Sequence, residues 1–245
     1  MASPNREALI TSLTENLEPL TYIYAAWLEG ADALNTVDAY SDIDLWLDVE
    51  DSLEDSAIKA VRQCLETFGP LELNHEREHP HPKIRQCFLR VGEMSKFCFV
   101  DLCIQSHSRT LVFTEHRDTV KVLFDKKSVV RFQTSEELDI PSFTQTLRSE
   151  FDIFQLWVEK ALAREQFLEA FGAYQTCTLG PLVKVLRLQY IPLKLDHGLK
   201  HSYQHLPCDV VCRLEPLYKA NSLAHLTQLH RQAQTWFHEE IAKFS

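Results

Sequence analysis

Two aspartates, Asp42 and Asp44, lie two residues apart in a segment whose alternate positions, Ile43, Leu45, Leu47 and Val49, are apolar. That alternation marks a strand with one buried face, so both carboxylates are expected to project from the other face. Carboxylates held a few ångströms apart repel each other and attract a hard divalent cation. Mg²⁺ takes oxygen ligands and keeps positions open for phosphate oxygens. A third acid, Asp101, is the only charged residue in the apolar run 97–104. An acid inside such a run is costly unless it is paired or bound to metal. Asp42, Asp44 and Asp101 are therefore the candidate catalytic and metal-holding set. Asp-x-Asp alone is also common as a solvated strand rim, so the elements around it matter.

Those elements can be read from periodicity. Leu9, Leu13 and Leu17 recur at helical spacing after a helix start at Ser3-Pro4. Residues 21–28 are apolar, aromatic and short enough for a buried strand, and the segment around Asp44 is the next strand. Ser52 and Asp55 have capping-box spacing, with Leu53, Ile58, Val61, Leu65 and Phe68 on one face of the helix that follows and Gly69-Pro70 stopping it. Strand-like runs cover 84–91 and 96–104, joined by a turn at Gly92, and then 119–124. From Ser142 the pattern changes. Phe143, Leu147, Phe151, Phe154, Trp157, Val158 and Leu162 follow helical spacing. Further helical patterns cover 166–190, 209–218 and 222–244, with a break or kink at Gly180-Pro181. The expectation is an α+β chain: a mixed sheet with helices over residues 1–140, then an all-α helical bundle over 141–245.

Charge supports the same division. The 245 residues include 25 basic and 35 acidic side chains, a formal charge of −10. This argues against a broad nucleic-acid-binding surface. Residues 1–150 carry 15 basic and 26 acidic residues (net −11), whereas residues 151–245 carry 10 and 9 (net +1). Residues 29–55 alone hold ten carboxylates and no Lys or Arg. The six glycines, at 30, 69, 92, 172, 180 and 198, match neither GxGxxG nor GxxxxGK[ST], which excludes the dinucleotide fingerprint and the P-loop. Seven scattered cysteines without Cys-x-x-Cys read as free buried thiols. The N-terminus lacks a signal-peptide apolar core and no apolar run is long enough to span a bilayer, so a cytoplasmic protein without membrane association is expected.

Upstream of the acids, the apolar segment Tyr24-Ala-Ala-Trp-Leu-Glu ends at Gly30-Ala31, and twelve residues after Gly30 comes Asp42 within Ser41-Asp-Ile-Asp44. With Asp101 on a later strand, residues 20–130 resemble the DNA polymerase β-like nucleotidyltransferase superfamily. The resemblance implies a nucleotidyltransferase-fold N-terminal domain. The turn at Gly30 and Ala31, with Ser41, would bind the triphosphate of ATP through main-chain N–H groups. Asp42 and Asp44 would hold Mg²⁺, and Asp101 would complete a two-ion clamp and orient or deprotonate an attacking hydroxyl. One departure from the family pattern is Ala31, where Ser or Gly is usual; a lost hydroxyl donor costs roughly 1–3 kcal/mol. Asn35 replaces a frequent second glycine.

A helical domain after the catalytic one is similar to small-molecule adenylyltransferases of the aminoglycoside and lincosamide type, which implies antibiotic resistance as one role. Within 184–200 the cations Lys184, Arg187, Lys194 and Lys200 stand against Asp196 alone. Lys194 and Lys200 are candidate partners of the triphosphate, or simply part of a solvated face. Glu165 and Glu169, at i and i+4, are candidate general bases or surface acids. His75, His79 and His81 have the look of a metal cluster, but the prolines around them indicate a loop. The aromatic ridge from Phe151 to Phe171 is an acceptor platform or core. The acidic window suits a cationic, aminoglycoside-like acceptor. Two other readings stay open: a nucleotide-binding protein without catalysis, and a modifier of a protein or RNA partner. The oligomeric state is open too, a cleft-completing homodimer being known in such families.

Overall fold

A computed structural model describes residues 5–134 and 137–244. The chain divides into two compact units, Met1–Ser135 and Glu136–Ser245, each with its own hydrophobic core. It is α+β: a mixed sheet with helices, then a helical region.

The first unit contains α1 (Arg6–Leu17), β1 (Ile23–Leu28), the one-turn α2 (Gly30–Leu34), β2 (Ile43–Val49), α3 (Glu54–Glu66), β3 (Leu71–Arg77), β4 (Ile84–Val91), β5 (Val100–Ser106), β6 (Phe113–Thr114), β7 (Lys121–Asp125) and β8 (Phe132–Gln133). The main sheet has the order β3-β4-β5-β2-β1-β7. β2 and β5 run parallel, and the other neighbours are antiparallel. Strand alternation sends Ile43, Leu45, Leu47, Leu102 and Ile104 to one face. There they pack on Leu9, Leu13 and Leu17 of α1 and Ile58, Val61 and Leu65 of α3. The opposite face receives the acids together with a smaller aromatic cluster, in which Trp27 stacks on Trp46 at 5.9 Å and meets Phe113 edge-on.

Several local expectations are corrected. Asp42 precedes β2 rather than lying on it. The capping box is not formed: Ser52 adopts φ +70°, Leu53 takes the cap position without a side-chain bond, and Asp55 pairs with Arg85 at 3.1 Å. β5 begins at Val100, not Lys96, because Cys98 N–H closes a turn on the Ser95 carbonyl at 2.9 Å. His75 lies on β3, opposite Phe88, rather than in a loop. The helix start at Ser3-Pro4 lies outside the described residues; Asn5 caps α1, its side chain accepting from Ala8 N–H at 2.8 Å.

The second unit contains α4 (Ile140–Ala163), α5 (Phe167–Ala173), a π-helical turn (Tyr174–Leu179), α6 (Gly180–Tyr190), a 3₁₀ segment (Pro192–His197), α7 (Ser202–His205), α8 (Cys208–Leu214) and α9 (Leu223–Ile241). Gly180-Pro181 does not break the helix. The π turn widens the helix just before it, so Pro181 sits at the start of α6, where a missing N–H costs little. The core joins Phe151 to Phe237, stacked at 3.6 Å, with Val158, Leu186 and Trp236 around them. The aromatic ridge is therefore split: Phe151 is core, while Trp157 is 56% exposed. All seven cysteines are free, but Cys208 and Cys212 are exposed rather than buried. No helix among the described residues is long and apolar enough to cross a membrane.

Candidate functional site

The parallel pairing of β2 with β5 aligns Asp44 with Asp101. Paired residues of a parallel ladder share a face, so the two carboxylates stand side by side on the side away from the α1/α3 core. Both are half-buried. Gln86 on β4 donates from Nε2 to both carboxylate oxygens of Asp101, at 2.8 and 3.1 Å. Burial pushes the Asp101 carboxyl above its ordinary value, and the negative charge of Asp42 adds to this; the Gln86 bond and Arg77 act against it. Asp42 thus acts on Asp101 electrostatically although it lies outside the ladder. The Cys103 thiol, on the same strand face as Asp101, is pushed up to about 12, first by burial and then by Asp101, Glu29 and Asp44.

Gly30 is fitted against Asp44. Its φ of +58° is one that L side chains rarely adopt, and a Cβ there would come within 2.0 Å of the Asp44 Oδ2 atom. The adjacent Glu29 N–H donates to the Asp44 main-chain carbonyl at 3.0 Å, which ties the end of β1 to β2 beside the carboxylate. Ala31 is half-buried in the turn that follows, and Asn35 closes it in the left-handed conformation at φ 55°. That conformation explains why Asn serves where a glycine is frequent. Ser41 does not present a free hydroxyl: its Oγ donates to Asp38 Oδ1 at 2.9 Å and accepts from Asp38 N–H at 3.0 Å.

A further pair holds this geometry. Arg6, on α1, forms an ion pair with Asp32 of α2, and it also donates to the main-chain carbonyls of Asp42 and, at 2.8 Å, Ser41. Asp32 is only 6% exposed. One guanidinium therefore fixes the turn after Gly30 to the segment entering β2. No spacing signal in the sequence links residues 6 and 32; the acid-rich window 29–55 receives its cation from outside.

The sequence matches no protein-family model, and no curated protein matches it. Among solved structures, the chain is similar to a spectinomycin adenyltransferase AAD(9) from Enterococcus faecialis, crystallised with ATP and spectinomycin, at 11% identity and a TM-score of 0.38, over 94% of this chain and 100% of that one. It is also similar to JHP933 from Helicobacter pylori at 13% identity and a TM-score of 0.32, over 98% of this chain and 93% of that one. Both TM-scores are below 0.5, and the reading of the site stands on the residues of this chain.

Among the described residues, no three His, Cys, Asp or Glu side chains form a ready metal-binding group. The donor set that does exist is a carboxylate pair, Asp44 and Asp101, with Asp42 near enough to influence it. Mg²⁺ is commonly held by one or two carboxylates with phosphate oxygens and water completing six ligands. The pair fits that mode. The histidines do not form a cluster: His79 and His81 each accept a main-chain N–H on Nδ1, from His81 and Lys83 respectively, at 3.0 and 3.1 Å.

The remaining candidate residues belong to the second unit. Lys194 is half-buried in the 3₁₀ segment and Lys200 is exposed. Arg187 of the same basic stretch is not a surface cation. It is fully buried and donates to the carbonyls of Gly198 and Lys200 at 2.6 and 2.5 Å, holding the 198–200 turn. Glu165 and Glu169 do not share a helix face. Glu165 sits at φ +57° in the turn that ends α4, and Glu169 lies in the first turn of α5; both are exposed.

Proposed function

We propose that the first unit binds a nucleoside triphosphate, ATP in our reading, and transfers its nucleotidyl group to a hydroxyl of a small molecule, releasing pyrophosphate. The observation that carries this is the juxtaposition of Gly30, Asp44 and Asp101: two carboxylates in ladder register, with a side-chain-free turn pressed against one of them. Asp44 and Asp101, with Asp42, would hold Mg²⁺, which when bound neutralises charge on the phosphate oxygens and the leaving pyrophosphate. Main-chain N–H groups at Gly30 and Ala31 would receive the phosphates, with Ser41 shaping the loop beside them. The acceptor oxygen bonds to the α-phosphorus as the bond from that phosphorus to the bridging oxygen of pyrophosphate breaks. The acceptor proton goes to a carboxylate. Asp101 is placed to take it, one strand from Asp44 on the same face. Gln86 keeps Asp101 oriented while it does so.

Lys194 and Lys200 are proposed as further charge partners of the triphosphate, and Glu165 and Glu169 as alternative bases. The ten carboxylates of residues 29–55 favour a cationic acceptor of aminoglycoside type, and with it a role in antibiotic resistance. The test is pyrophosphate release from ATP and Mg²⁺ with a panel of cationic and neutral polyhydroxyl acceptors. Turnover that Asp44→Asn abolishes supports the reading; turnover that survives Asp44→Asn overturns the site.

A second reading, nucleotide binding without transfer, is favoured by Ala31, which supplies no hydroxyl to the phosphates. Calorimetric binding of ATP with no transfer to any acceptor would select it.

A further inference from the structure

On the same sheet face as Asp44, but at the other end of β2, lies a pocket of about 230 Å³ whose walls are basic. Asp44 and Asp48 are four residues apart, about 13 Å along a strand. Trp46, stacked on Trp27, stands between them. One wall is the segment leaving β5, with His107 and Arg109; the other is the turn after β7, with Lys127 and Arg131. The walls are joined where Phe113 N–H donates to the Arg131 carbonyl at 2.8 Å and β6 pairs with β8. The Lys127–Arg131 turn is itself pinned by Asp125, whose carboxylate accepts from Val129 and Val130 N–H at 2.9 and 3.0 Å.

The floor is a buried polar chain. Asp48 is 1% exposed and Gln105 is fully buried. Asp48 binds Gln105 Nε2 at 2.6 Å and His107 Nδ1 at 2.7 Å, and Arg109 donates to Gln105 Oε1. The floor carboxylate is therefore engaged by Gln105 and His107. Arg131 and Lys127 have neutral partners: Arg131 Nε donates to the Ser128 carbonyl at 2.7 Å, and Lys127 lies over the Tyr24 ring at 4.1 Å. Arg109 also acts on Glu29, its charge working against the burial that raises that carboxyl. A guanidinium has five N–H donors in a fork that matches an oxyanion, so Arg109 and Arg131 retain donor capacity towards the pocket. Three permanent cations converge here in a unit that is otherwise strongly acidic.

We propose that this pocket binds a small phosphate-bearing anion, at a site separate from Asp44 and Asp101. Its chemistry is that of a dianionic oxyanion held by Arg109, Arg131 and Lys127, and its volume suits free phosphate or a short phosphomonoester. The proposal does not depend on the nucleotidyl-transfer reading.

The test is calorimetric titration of the whole chain with inorganic phosphate and, separately, with glycerol phosphate, at constant ionic strength against a chloride control. Saturable binding of either supports the site, and the tighter of the two identifies the source. Arg131→Gln and Lys127→Gln, both on exposed side chains, should each weaken binding about tenfold or more with unchanged melting curves. Asp44→Asn should leave it intact. No saturable binding above chloride, binding that survives both pocket variants, or binding lost on Asp44→Asn would overturn the proposal.

Discussion

Asp44 on β2 and Asp101 on β5 occupy paired positions of a parallel ladder, so two carboxylates stand one strand apart on the same face. Adjacent strands are about 4.8 Å apart, which is close enough for both acids to contact one cation. Gly30 and Arg6 serve this pair, the first by leaving space at Asp44 and the second by fixing the chain entering β2.

Gly30→Ala should damage both fold and site. The left-handed φ alone costs an L residue on the order of 1–2 kcal/mol. The new methyl must also displace the Asp44 carboxylate, since it would lie only 2.0 Å from Oδ2. Urea denaturation should show at least that loss, and calorimetry should show loss of ATP binding. A variant as stable as wild type that binds ATP normally would contradict the packing of the turn on Asp44.

Arg6→Ala removes the partner of a nearly buried carboxylate, with Asp32 6% and Arg6 15% exposed. Orphaning a buried charge costs about 3 kcal/mol. The double variant Arg6→Ala/Asp32→Asn should recover part of that loss, because the unpaired charge is gone. Denaturant midpoints for the four proteins of the cycle measure this coupling directly; strictly additive effects would mean that the pair does not act as one unit.

Asp101 supplies a pH signature. Its folded-state proton affinity is raised above the ordinary 3.8, mainly by burial. For an acid, this means the folded protein carries a penalty once the group is ionised. The penalty is full at neutral pH and is relieved as pH falls through the raised value towards 3.8. Asp101→Asn should therefore raise the melting temperature at neutral pH while abolishing transfer, and its advantage should fade in acid. Asp42→Asn should move the Asp101 titration, followed by carboxyl NMR, back towards its ordinary value.

His230 gives the helical unit the opposite dependence. It is 3% exposed, and burial holds its pKa down at about 4 against an ordinary 6.5. Gln155 Nε2 donates to the carbonyls of Phe151 and Cys177, so Oε1 faces His230 Nε2 at 3.0 Å and that nitrogen must carry the proton. The unfolded chain takes up a proton on this residue as pH drops below 6.5, but the folded chain does not until about 4. Stability should fall across that window by roughly 3 kcal/mol. His230→Gln keeps a donor for Gln155 and removes the titration, so thermal melts between pH 7 and 4.5 should flatten.

Much of the frame was legible from alternation and helical spacing, because burial of one face imposes those periods. Leu9, Leu13 and Leu17 on α1, and Ile43, Leu45 and Leu47 on β2, all pack where their spacing places them. What was not legible depends on partners distant in sequence. The Asp44–Asp101 register is set by strand pairing across 57 positions, and Arg6–Asp32 by docking of α1. β3 escaped notice because most of its side chains are exposed on a sheet edge, so Glu72, Asn74 and Glu76 carry little apolar signal. Ser52 has the composition of a cap, but its left-handed backbone gives it a turn's geometry instead.

The central claim is that Gly30, Asp44 and Asp101 form one metal–nucleotide site. A crystal structure of the protein with Mg²⁺ and a non-hydrolysable ATP analogue tests it most directly. The account predicts a cation contacting both Asp44 and Asp101, with the phosphates against the main chain at Gly30 and Ala31. A nucleotide bound elsewhere, or a triphosphate whose cation touches neither aspartate, would contradict it.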